Sequence, residues 1–329
     1  MLELYGEVRA GYLEFARFAD GASDTFAQWA RAVAEDDEVV AWLGQLPPVK
    51  RQPNLVFAAA RAHGVPAPGP YEGFRAAVLG DEGAAIRDTI LTHATQTNEA
   101  RRLATLLPAL ALAAEGRPLA LIEIGASAGL CLLPDLWAYR WRTPSGEHAI
   151  GGPDEPELEC DVTGSAPLPT ERPAVAWRTG LDIAPIDVRD DERVRWLETL
   201  VWPEQHERLA RLRAGVALAR REPPPIVTGD LRRDLDALID RAHGEADGAA
   251  VVVYHSAVIM YLDTEDRRAF EAAMRERVAA GRCHWVSMEA SGVVPGLVAD
   301  APAGHLVLGI DGDAVASADQ HGAALRWLR

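Results

Sequence analysis

Over residues 5–115 the apolar positions recur at spacings of three and four with no alternating run, the signature of amphipathic helices. Ser23 and Asp24 can cap a helix through Phe26, Trp29 and Val33, and a shorter helix over 39–46 is stopped by Pro47 and Pro48. A helix over 54–63 ends at Gly64, and further helices are expected over 74–79, 83–95 and 98–114, the last kinked at Pro108 and closed by Gly116. The pattern then changes to short, continuous apolar runs at 119–124, 174–181, 225–227, 250–254, 284–288 and 306–310. Helices are predicted between most of them, over 130–139, 191–220, 232–242 and 265–280. Continuous apolar runs joined by helices indicate parallel strands buried on both faces. Asp311-Gly312-Asp313 reads as a hairpin turn that appends an antiparallel pair at one edge. The expected architecture is therefore α/β: a mostly parallel, Rossmann-like sheet over 117–329, with an insertion at 142–173 too long for a standard connection. An all-helical region over 1–116 precedes it, expected to serve as a lid and substrate-recognition element.

Composition narrows this picture. A chain of 329 residues, 48% hydrophobic and 25% charged, is that of an ordinary globular protein of one large or two modest domains. No apolar run reaches the roughly 18 residues of a membrane helix. The segment 1–10 carries Glu3 and Glu7 instead of a basic start and an apolar stretch, so no secretory signal is expected and a cytoplasmic location is. Three isolated cysteines, Cys131, Cys160 and Cys283, make no disulfide framework and no zinc motif. Nine histidines show no H-E-x-x-H spacing, so no metal is expected. The net charge of −16, with Lys50 as the single lysine, disfavours nucleic acid and leaves a small molecule as the expected partner.

The chemistry concentrates in Leu121-Ile-Glu123-Ile-Gly125-Ala126-Ser127-Ala-Gly129-Leu130, a buried strand entering a turn of small residues. A dinucleotide fingerprint would need glycines where Ser127 and Leu130 stand. Gly125-x-Ser127-x-Gly129 has the letters of a nucleophile elbow, with Asp300 or Asp311 and His305 or His321 as candidate partners of a serine hydrolase. Such an enzyme, however, places several strands before its elbow, and here a long helical region stands there.

Glu123-x-Gly125-x-Ser127-x-Gly129 also resembles the first motif of class I methyltransferases, E-x-G-x-G-x-G, with serine in place of the middle glycine. The later strand ends agree with this resemblance: Thr179-Gly180-Leu181-Asp182, Val227-Thr228-Gly229-Asp230-Leu231 and Tyr254-His255-Ser256. It implies that S-adenosylmethionine is held by Glu123, Gly125, Ala126, Ser127 and Gly129, with Asp182 on the ribose hydroxyls and Asp230 and Leu231 at the adenine. Tyr254 and Ser256 would face the substrate together with Asn98 and Glu99. His255 would be the general base, if direct methyl transfer needs one beyond positioning. Each residue also has a plain structural role available: a tight turn at 125–129, an Asx turn at Asp182, helix caps at Asp230 and Asn98, and a satisfied core histidine at 255. A binding protein that keeps the sheet without catalysis is the remaining alternative. Acids at Glu99, Glu123, Asp182 and Asp230 would suit a cationic sulfonium and a neutral or basic acceptor.

Finally, Gln96-Thr-Asn-Glu99, Leu106-Leu-Pro-Ala109, Gly125-Ala-Ser-Ala-Gly-Leu130, Gly180-Leu-Asp-Ile-Ala-Pro-Ile-Asp187, Val201-Trp-Pro-Glu204 and Tyr254-His-Ser-Ala257 resemble the signature blocks of a bacterial family of unknown function, number 2332. The resemblance spans nearly the whole chain and implies one protein type, without an activity. Cys131 departs from it, standing where asparagine is expected after Gly-Leu.

Overall fold

The computed structural model of the chain describes residues 7–96, 98–302 and 304–328. The leading periodicity is realised as helices α1 (Val8–Ala19), α2 (Asp24–Glu35), α3 (Asp37–Gly44), α4 (Pro53–Ala62), α5 (Tyr71–Leu79) and α6 (Gly83–Thr92). Ser23 caps α2 as expected, its hydroxyl accepting from the amide of Phe26 at 3.2 Å. Proline at the first position of α4 and Gly64 just beyond it, at φ +87°, mark that helix's two ends.

The chain divides into two compact units, residues 1–97 with 191–210, and residues 98–190 with 211–329. The first unit is built around Phe26, Trp29, Phe57 and Phe74, all fully buried, with Trp29 stacked on Phe74 and the other ring pairs edge to face or tilted. The later segment is fastened to it by polar contacts. Trp202 donates from its ring nitrogen to Asn54 Oδ1 at 2.9 Å, Glu204 accepts from the Thr25 amide at 3.0 Å, and Arg61 holds the carbonyls of Thr199 and Val201.

The second unit opens with α7 (Arg102–Ala114), followed by β1 (Leu119–Ile124), β2 (Ala138–Thr143), β3 (Gly146–Ile150), β4 (Glu157–Thr163) and β5 (Val175–Asp182). Helix α8 (Asp191–Leu200) belongs to the first unit, and the chain returns to the second within α9 (His206–Arg221). Then come β6 (Ile226–Thr228), α10 (Leu231–Glu245), β7 (Ala250–Ser256), α11 (Thr264–Ala279), β8 (His284–Glu289), β9 (His305–Ile310), β10 (Asp313–Asp319) and β11 (Ala324–Trp327). The strands form one sheet in the order β3-β2-β4-β11-β10-β9-β8-β7-β1-β5-β6. The run β6-β5-β1-β7-β8 is parallel throughout, whereas β9 and β10 run antiparallel to their neighbours, and so do β2 and β3 to each other. The fold is thus α/β on a mostly parallel mixed sheet. No helix of the described residues is long and apolar enough to cross a membrane.

Strand β1 is buried along its whole length, as its unbroken apolar run requires. Ala120, Ile122 and Ile124 face α10 and α11 and join Leu235, Ile239, Phe270 and Met274 in one core. Alternation turns Leu121 and Glu123 to the opposite face. On that face α7 packs over β7 and β8, with Thr105 reaching the sulfur of Met288 at 3.4 Å.

Two sequence expectations are corrected. Residues 130–139 form no α-helix; two single 3-10 turns, Leu130–Leu132 and Pro134–Leu136, lead directly into β2. Pro134 bars Leu133 from helical backbone, and Arg178 on β5 pins the segment by donating to the Leu132 carbonyl and to both oxygens of Asp135. The insertion at 142–173, in turn, is part of the sheet. It supplies β3 and β4, laced to β2 by Arg140 on Glu147 and Glu157 and by Arg142 on Glu159 and Asp161.

The turn after β9 contributes a pH-dependent clasp. Asp311, at φ +52°, accepts from the Trp285 amide at 2.7 Å and from His284 Nδ1 at 2.9 Å. The hydrogen bond to Asp311 raises the pKa of the half-buried His284 above its usual 6.5, against desolvation and Arg117, with Glu115 adding to the rise. A raised folded-state pKa stabilises fully below the unfolded value, and that contribution disappears as pH rises through the folded value. His284→Gln is therefore expected to cost under about 1 kcal/mol near pH 6 and still less near pH 8, given the exposure of the pair. Urea unfolding of both proteins across that range measures the difference, and equal losses at the two pH values would remove the clasp from the account.

Candidate functional site

Within the parallel run β6-β5-β1-β7-β8 the strand sequence passes from β1 through β5 and β6 on one side to β7 on the other, after β2 to β4 at the far edge, so the carboxyl ends of β1 and β7 flank a topological switch point. Open α/β sheets leave a crevice at such a point, and the turn at Gly125 to Gly129 lies there. Gly125, Ser127 and Gly129 all adopt left-handed backbone, at φ +71°, +51° and +70°. A Cβ on Gly125 would sit 2.4 Å from a methyl of Val258, and one on Gly129 would sit 2.7 Å from Pro224. Ala126 rests on Gly180 of β5, where a side-chain carbon would approach it to 2.5 Å. The smallness of this turn is thus used for close packing against the chain itself.

Ser127 is the strained residue that is not glycine, and three bonds hold it in place. Its amide donates to Asp182 Oδ2 at 2.8 Å, its carbonyl accepts from the Ile186 amide at 2.9 Å, and its hydroxyl accepts from Asn98 Nδ2 at 3.0 Å. Asn98 also accepts from the Ala128 amide at 3.0 Å, so one side chain clamps both arms of the turn. Asn98 is accordingly a loop clamp and not a helix cap; Arg101 is the residue preceding α7. Thr97, beside it, lies outside the described residues.

Asp182 closes β5 with each carboxylate oxygen accepting one backbone amide, Ser127 on Oδ2 and Ala184 on Oδ1. The next residue, Ile183, is 77% exposed at the same strand end, unusual for an isoleucine. Asp230 caps α10, which begins at Leu231, by accepting from the Arg232 amide at 3.0 Å, and it pairs with the Arg232 guanidinium. Those bonds to Arg232 hold its carboxyl at about 2. Asp182 and Asp230 are therefore both engaged by the protein, and the expected ring of open acids shrinks.

His255 does not occupy the position expected of a base. It is fully buried on the α11 face, Nδ1 donating to Glu289 Oε1 at 2.7 Å and Nε2 accepting from the Trp285 ring N–H at 3.0 Å. Both nitrogens are used, so it has no lone pair to offer a substrate. Glu289 Oε1 also accepts from the amides of Val258 and Ile259 at 2.9 and 3.0 Å, and so fastens the loop that follows β7. An acid ending β8 is the same strand-end signal that marks Asp182.

The opposite face of the sheet gathers the remaining candidates. Glu123 lies in register with Tyr254, and alternation places Ser256 on the same face two residues further on. The Tyr254 hydroxyl donates to the Cys131 carbonyl at 2.8 Å, so Cys131 is built into this wall, with its thiol toward the Glu99 carbonyl. Glu99 is buried and accepts from Arg211 Nε at 3.4 Å. Burial, reinforced by Asp182, pushes the Glu123 carboxyl well above its usual range, while Arg102 and the Tyr254 hydroxyl pull the other way. Glu123 Oε2 and Ser256 Oγ are both sealed from solvent and make no hydrogen bond. Arg102, which no motif marked, is 8% exposed and donates to the carbonyls of Gln320 and Ser256 at 2.9 and 3.1 Å.

The constellation of a serine hydrolase is not assembled here. The Ser127 hydroxyl is held by an amide nitrogen, and Asp311 pairs with His284 at the start of β8, the sheet edge away from the turn. Among the described residues no group of three His, Cys, Asp or Glu side chains is placed to hold a metal ion.

Comparison with curated proteins and with solved structures returned no match. A family model does match, over residues 9–327, and the chain belongs to that family, an uncharacterized protein conserved in bacteria designated DUF2332.

Proposed function

We propose that the second unit binds S-adenosylmethionine at the carboxyl edge of its parallel strands and directs methyl transfer to a small molecule. The observation that carries this reading is the strand order β6-β5-β1-β7-β8, with the Glu123 to Gly129 turn leaving β1 at the switch point and Asp182 closing the adjacent strand. Asp182 still has one lone pair on each oxygen beyond its two backbone bonds, which suits a pair of ribose hydroxyls. Ile183 beside it offers an apolar surface to a base. When bound, the sulfonium supplies the activated methyl group; the chain's own part is to hold the ligand and exclude water. His255 has no role in proton transfer in this scheme, and its bonds to Glu289 and Trp285 keep the β7 end in place.

Calorimetry with S-adenosylmethionine tests the proposal. Asp182→Ala is expected to weaken binding by about 1–3 kcal/mol, from lost ribose bonds and a loosened Ser127 amide. Absence of binding by the unaltered protein at millimolar ligand would refute the reading. A second reading, a binding protein without turnover, is favoured by Val258, whose methyls fill the space beyond Gly125. Saturable binding without methyl transfer to any acceptor would select it.

A further inference from the structure

We propose that Arg102, Ser256 and Glu123 form a subsite for the carboxylate of a small organic acid. Arg102 reaches the end of β7 from the first turn of α7 and is more than nine-tenths buried. Nε and Nη1 are fixed on the carbonyls of Gln320 and Ser256, and among the described residues the guanidinium makes no ion pair. A buried cation without an ion-pair partner is costly, and with Nε and Nη1 engaged the guanidinium keeps Nη2 to donate to an anion. Two further groups converge on the same sheet face. The Ser256 hydroxyl belongs to the residue whose carbonyl Arg102 holds, and Glu123 stands on the neighbouring strand in register with Tyr254, two residues before Ser256; Glu123 Oε2 and Ser256 Oγ make no hydrogen bond.

The sign of the ligand follows from these charges. Arg102 repels an ammonium group, and burial favours the neutral form of the Glu123 carboxyl, in which it can donate a hydrogen bond as the Ser256 hydroxyl can. A guanidinium and two O–H donors match the two oxygens of a carboxylate. A phosphate dianion would bring a second charge into a wall that already holds Glu99, in a chain of net charge −16. The acid thus reverses the expectation of a basic acceptor that the strand-end acids alone suggested.

This inference rests on reading the carboxyl edge as the ligand site, and its test uses no S-adenosylmethionine, so the two proposals fail separately. The side-chain carboxyl of Glu123 is followed by carbon NMR in protein labelled on glutamate, assigned by Glu123→Gln. Sodium acetate is titrated at constant ionic strength, and sodium phosphate and methylammonium chloride are titrated in parallel. Acetate is expected to shift the Glu123 signal saturably at millimolar concentrations. Ser256→Ala should weaken that response about fivefold and Arg102→Gln about tenfold or more. Arg102 also braces two carbonyls, so Ser256→Ala keeps the test decisive if Arg102→Gln does not fold. No saturable response to acetate, an equal response to methylammonium, preference for phosphate, or an acetate response unchanged by Ser256→Ala would each overturn the proposal.

Discussion

Glu289→Ala is expected to destabilise the protein by about 3–5 kcal/mol, the range seen when one member of a buried pair is removed. The loss comes from one oxygen, which accepts from His255 Nδ1 and from the amides of Val258 and Ile259. Without it three donors lose their partner, two of them buried, and His255 keeps only its bond from Trp285. Glu289→Gln retains an oxygen that can accept all three and is expected to cost about 1 kcal/mol. Urea denaturation gives the two values, and hydrogen exchange at Val258 and Ile259 should accelerate in the alanine variant more than at other core amides. A cost for Glu289→Ala no larger than that of the glutamine variant would mean that this cluster does not anchor the loop after β7.

Gly125→Ala is the second large effect, at about 2–4 kcal/mol. Left-handed backbone costs a residue with a Cβ roughly 1–2 kcal/mol, and the new methyl adds overpacking against Val258. These two contributions can be separated. Val258→Ala removes the methyls that a Cβ at 125 would meet and should recover about 1 kcal/mol of the loss in the double variant, leaving the backbone strain. Strict additivity of the two substitutions would show that Val258 does not occupy the space above Gly125. The same double variant reports on function. If the crevice beyond Gly125 takes a ligand, trimming Val258 alone should not weaken S-adenosylmethionine binding, whereas Gly125→Ala should.

Local features of the chain were readable because they depend on neighbours in sequence. The Ser23 cap, the proline and glycine at the ends of α4 and the unbroken run of β1 each follow from spacing or residue type alone. The turn at Gly125 to Gly129 and the acid closing β5 were readable for the same reason, since a small-residue turn after a buried strand is a local pattern. Residues 130–139 misled because their apolar spacing allows a helix, while Pro134 and the long-range hold of Arg178 on Asp135 decide otherwise.

What each site residue does was a separate matter. The sequence put Asp182, Asp230, His255 and Asn98 at strand or helix ends, and each end offered a ligand role and a structural one. Only tertiary contacts chose among the structural partners: Ser127 for Asp182 and Asn98, Arg232 for Asp230, Glu289 and Trp285 for His255. Arg102 carried no motif, and the strand-end position of Glu289 did not name its partners, because the importance of both lies in burial beside groups far away in the chain. By itself the sequence determined the helical and α/β character of the chain, the small-residue turn after β1 and the family. The tertiary structure decided which polar atoms are spent within the protein and which, at Glu123 and Ser256, are left over, because hydrogen bonds between distant segments leave no periodic trace in the order of residues.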